Sequence, residues 1–135
     1  RRALGYSGFV RLRFREMHGD KVNQTWTQVL YLHHGSGGGK LAGSAASNME
    51  RLTMGWDADI YAWGHTHKKL VLQKRRIAVE PRRNRIEDKQ LAFVNVGAFM
   101  DGDGTYAERM GLYPQAMGPV EVWFYPSEHE FRVIQ

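Results

Sequence analysis

Residues 25–32 (TWTQVLYL) run into His33-His34-Gly35, and residues 58–63 (ADIYAW) run into Gly64-His65-Thr66-His67. Both runs are apolar and rich in β-branched or aromatic residues, the composition of strands. Both stop at a glycine beside a pair of histidines. Between them Met49, Leu52 and Trp56 fall at helical spacing, and Ser47 with Glu50 has the form of a capping box. The spacing predicts a helix over 44–55, ended by Gly55. Strand, helix and strand in that order bring the two histidine turns to one edge of a sheet. Sites in open α/β sheets form there, at the carboxyl ends of strands.

Outward from this unit the chain reads mostly as strands. Residues 8–15 (GFVRLRFR) alternate apolar and basic, the pattern of a half-buried strand, and residues 18–21 (HGDK) form a turn after it. This strand and residues 25–32 make a hairpin. Residues 69–72 and 75–79 read as two strands around a basic turn, and residues 90–96 (QLAFVNV) as another, ending at Gly97. Residues 101–119 are loop-rich, with one helical turn over 105–110. Residues 120–125 and 131–134 close the chain as strands. The expected architecture is α/β, a single domain over residues 1–135, with a strand-built second half.

The chain has 135 residues and no cysteine, which excludes disulfides and thiolate zinc sites. Any metal must be held by His, Asp, Glu or Asn. No apolar run approaches about 18 residues, so no membrane partner is expected, and no secretory signal is visible. A cytoplasmic location fits this. A net charge of +5 and a pI near 9.7 agree with a phosphate-rich partner, nucleic acid included.

Four of the six histidines sit in the two glycine-flanked turns. Neutral imidazole is the commonest metal-binding side chain. Histidines at i and i+2 in a turn can face two metals, or one metal and a substrate. Other signals are weaker. Residues 35–40 (GSGGGK) lack the Walker pattern, because position 34 is His and position 41 is Leu. Asp101-Gly102-Asp103-Gly104 lacks the closing glutamate of a calcium loop. The basic run 74–89 is either a nucleic-acid track or a solvated hairpin partly neutralised by Glu80, Glu87 and Asp88. Trp26, Trp56, Trp63 and Trp123 sit on apolar patterns and are expected to pack in the core.

Gly64-His65-Thr66-His67 resembles the closing GHxH motif of the calcineurin-like metallophosphoesterases. The strand and HHG element at 29–35 resembles the histidine motif that precedes it, and Val94-Asn95-Val96-Gly97-Ala98 resembles the later N-x-G-S/A strand. The resemblance covers residues 26–125. It implies the C-terminal portion of a four-layered α/β/β/α sandwich and a metal-dependent hydrolase acting on phosphate mono- or diesters, nucleic acid or nucleotide among them. It implies two divalent ions, of manganese, iron, zinc or nickel, in a site that clamps a phosphate and lowers the pKa of bound water. His34 and His65 would hold one metal and His67 the other. His34 and His65 are thereby the catalytic pair, with His33 and Lys40 as substrate contacts. His33 competes with His34 as the ligand, and Gly35 favours His34. The family's D-x-H, G-D and G-N-H-D/E motifs do not precede residue 33 in order; His18-Gly19-Asp20 lies too near His34. This chain would therefore supply only the C-terminal ligands, with the N-terminal half on the same or another chain. The alternative is a non-catalytic binding module derived from this fold, with nucleic acid as a possible ligand.

Overall fold

The alternation over residues 8–15 becomes a long strand, β1 (Ser7–His18), in a computed structural model that describes residues 5–36, 42–80, 84–99, 106–109, 111 and 116–135. A turn at Gly19-Asp20, with Gly19 at φ 59°, returns the chain into β2 (Lys21–His33). The two pair antiparallel from Ser7↔His33 to His18↔Lys21. Then come α1 (Ala42–Arg51), one 3-10 turn (Leu52–Met54) and β3 (Ile60–Trp63). The chain continues through β4 (Leu70–Glu80), β5 (Arg85–Asn95), a helical turn α2 (Tyr106–Arg109), β6 (Glu121–Tyr125) and β7 (Glu130–Ile134).

Five strands form one mixed sheet in the order β1-β2-β3-β5-β4. β3 is parallel to both neighbours, β2 and β5, and each outer pair is antiparallel. The fold is thus a mixed α/β arrangement, mostly strands. Period-two alternation gives the sheet two apolar faces. On one, Tyr31, Tyr61, Trp63 and Phe93 are buried with Met49 of α1. On the other, Ile60, Ala92 and Val94 meet Phe131 of β7, with Val122 and Phe124 of β6 against them. The order of layers is helix, five-stranded sheet, two-stranded hairpin. Met49 is 0 % exposed, and burying such a side chain contributes about 1.5–3 kcal/mol.

β3 has four residues, whereas its neighbours have 13 and 11. Where β3 is missing, β2 and β5 face each other across a gap. Asp59 closes its upper end: its N–H donates to the Val29 carbonyl at 2.8 Å, and the Ala92 N–H donates to its carbonyl at 3.0 Å. Its carboxylate Oδ2 also accepts the Val29 N–H at 2.8 Å. Beyond Asp59 a cleft of about 740 Å³ opens between residues 25–29 and residues 85–90.

The elements differ from the sequence reading at several points, and β1, β2 and β5 are also longer than expected. α1 begins at Ala42, so Ser47 lies inside the helix and caps nothing; Glu50 instead pairs with Lys74 across to β4. Residues 70–72 and 75–79 belong to one continuous strand, β4, which starts one residue after Lys69, because Lys74, Arg75 and Arg76 pair with β5 at 89–91 in place of a turn. The turn falls instead near Asn84, which takes φ 46°. Two tryptophans also leave the expected core. Trp123 is 52 % exposed on the outer face of β6, and Trp56 is 45 % exposed, stacked on Tyr31 with centroids 5.2 Å apart.

The candidate histidine site at the strand ends

β2 and β3 are adjacent and parallel, with His33 opposite Trp63, so both strands end at the same level. The two glycine turns beyond them then touch. Gly35 takes φ +99°, and a Cβ there would lie 2.2 Å from the Gly64 carbonyl oxygen and 2.6 Å from the Trp63 indole nitrogen. Only a glycine permits that approach and that backbone angle. The Thr66 N–H donates to the Gly64 carbonyl at 2.7 Å, folding the second turn tightly.

His34 and His65 are exposed and brought together, with ring centroids 5.0 Å apart and 49° between planes. His33 goes elsewhere. Its ring stacks on Trp63 at 4.6 Å, and its Nδ1 accepts the Gly35 N–H at 2.8 Å. That bond leaves Nε2 as the nitrogen of His33 open to another partner. Tyr6 was not singled out from the sequence, yet it flanks the pair. Its carbonyl accepts the His34 N–H at 2.8 Å, and its ring lies edge-on to His34 at 6.3 Å. A shallow depression of about 390 Å³ there is lined by Tyr6, His33, His34, Trp63 and Gly64, among others.

His65 and His67 both adopt the left-handed region, at φ 65° and 56°. For non-glycine residues such backbone costs on the order of 1–3 kcal/mol and is held by its surroundings. Asn95 supplies part of that hold. It is 0 % exposed at the end of β5, and its Nδ2 donates to Thr66 Oγ1 at 2.6 Å. Asn95 Oδ1 has no hydrogen-bond partner among the described residues. His67 is half-buried and joins no ring contact with the His34–His65 pair among the described residues. Among those residues no group of three or more His, Asp or Glu is placed to hold a metal ion. Lys40, expected as a substrate contact, and Asp101-Gly102-Asp103-Gly104 lie outside the described residues.

Two carboxylates stand at the other end of β3. Burial is the largest cause acting on Asp59 and raises its pKa above the ordinary 3.8, against the Val29 N–H and Lys89, which lower it. Asp57 is exposed and pairs with Arg76 at 2.5 Å. Neither reaches the histidine turns, since β3 runs between them. No helix among the described residues is long and apolar enough to cross a membrane. Comparison with family models, with curated proteins and with solved structures found no match.

Proposed function

We propose that this chain is the C-terminal part of a two-metal phosphoesterase that hydrolyses phosphate mono- or diesters. The observation that carries the reading is the meeting of His34 and His65, 5.0 Å apart at the ends of adjacent parallel strands. Two exposed imidazoles at that separation can turn a nitrogen each toward one ion. They fit as part of a ligand set and leave it open, as a site needs when further ligands come from elsewhere. The helix, sheet and hairpin layers also agree with one side of a four-layered sandwich.

In this reading His34 and His65 hold one divalent ion and His67 a second, of manganese, iron, zinc or nickel. When bound, such ions neutralise phosphate charge and lower the pKa of water. His33 is held flat by Trp63 and by the Gly35 N–H, and presents Nε2 to a phosphate oxygen. Asn95 fixes the Thr66 turn, so that His65 and His67 keep their directions.

Calorimetric titration of the chain with Mn²⁺ or Zn²⁺ tests the proposal. Binding is expected, and His34→Ala or His65→Ala should weaken it at least tenfold, while His33→Ala changes it less. Absence of binding in the wild-type chain would sink the reading. The outcome would then favour the second one, a non-catalytic binding module.

A further inference from the structure

We propose that the outer face of β1 is a track for single-stranded nucleic acid, leading away from the histidine turns. It names a substrate class for the phosphoesterase reading and rests on that reading only for the chemistry, not for the binding. Arg11, Arg13 and Arg15 alternate with Leu12 and Phe14, and all three are exposed. Leu12 and Phe14 share the face that meets the β6–β7 hairpin, where Phe14 lies 5.4 Å from Phe124. The arginines therefore form one row on the opposite face. Alternate residues of a strand stand about 6.8 Å apart, comparable to the phosphate interval of an extended single strand.

Ion pairing separates this row from the other basic segments. Lys74 pairs with Glu50, Arg75 with Asp88, Arg76 with Asp57 and Arg85 with Glu87. The 74–89 run is thus largely neutralised where it is described. Among the described residues Arg11, Arg13 and Arg15 have no carboxylate partner. Their cross-strand neighbours are Val29, Thr27 and Thr25, none of them acidic. Guanidinium groups left without anions on a neutral floor are a site for a polyanion.

Aromatic rings stand at the head of the row. Phe9 is 47 % and Trp56 45 % exposed, with centroids 5.9 Å apart, both against Tyr31. Bases stack on such rings only when unpaired, which selects a single strand over a duplex. The row also has a direction. Ser7 pairs with His33, so β1 starts beside the histidine turns and extends about 27 Å to Arg15. A strand with one phosphate at His34 would lay its next few phosphates along the arginines. Charged residues on an edge strand also keep that edge from pairing with other sheets. Glutamate preserves that role and reverses the attraction, so it separates the two explanations.

The experiment is fluorescence anisotropy with a labelled oligothymidylate of about 12 nucleotides, in EDTA, over a range of salt. Binding is expected with a log–log salt slope of about −2, for three phosphates contacted. R11E/R13E/R15E should weaken it at least tenfold and flatten the slope. Phe9→Ala should weaken it several-fold, and Arg75→Gln should leave it unchanged. Circular dichroism melts confirm that each variant is folded. Equal binding by the triple variant, equal affinity for a duplex, or binding to phosphatidylserine vesicles in place of the oligonucleotide would overturn the proposal. Because the titration is run in EDTA, oligonucleotide binding is read separately from metal binding at the histidine turns. Oligonucleotide binding without any metal binding would therefore sink the phosphoesterase reading alone. Metal binding at His34 and His65 without oligonucleotide binding would sink the track alone.

Discussion

Gly35 is the residue on which the histidine site turns. Its φ of +99° and its closeness to the Gly64 carbonyl leave no room for a side chain. Gly35→Ala should cost about 1–3 kcal/mol in chemical denaturation and part the two turns. Gly64→Ala is the control. Its Cβ would meet the His34 carbonyl oxygen at 3.1 Å, a lesser crowding, and a smaller loss is expected. At Asp59 the sign is opposite. Its folded pKa is raised by burial, so the folded chain holds the proton more tightly than the unfolded chain does. Stability from this group therefore falls as pH rises from the unfolded value, 3.8, through the folded one. Asp59→Asn keeps an acceptor for the Val29 N–H and removes the buried charge. Its melting temperature should gain on wild type more at pH 7 than at pH 4. A gain independent of pH would rule out burial as the cause.

At the scale of elements, the glycine–histidine turns were legible because they break apolar runs with residues whose roles are local. β2, α1 and β3 follow from periodicity for the same reason. The continuity of β4 was not legible, since Lys74, Arg75 and Arg76 are strand residues only through pairing with β5 and ion pairs to Glu50, Asp88 and Asp57. Those partners lie far away in sequence. The role of Asn95 was half legible: its strand was visible, its bond to Thr66, 29 residues away, was not. Asn95→Ala should destabilise the chain by about 1–3 kcal/mol, read by urea denaturation. It should also lower metal affinity if the second histidine turn depends on that bond.

At the scale of the molecule, the two apolar faces need both covers. Phe131, 2 % exposed, is the main contact of the hairpin layer with the sheet, and Gln90 fastens it by accepting at Oε1 from the Phe131 N–H and donating from Nε2 to its carbonyl. Phe131→Ala should cost about 3–5 kcal/mol in thermal or urea unfolding, as for other large core truncations. The tryptophans misled the sequence reading at this scale, because an apolar pattern does not say which face a layer covers. Trp63 lies under α1, whereas Trp123 lies on the uncovered side of β6.

The shortness of β3 has a kinetic consequence. Four residues join two long hairpins, and Asp59 is the last rung before they separate. Each arm can fray from its tip without disturbing the other. Amide hydrogen exchange should therefore be graded, slowest at 60–63 and 91–94, where opening requires the whole sheet to part. Toward residues 16–24 and 84–88 it should rise steeply to rates near those of an unstructured chain. The sheet would behave as two leaves on a short spine, each opening at its own rate.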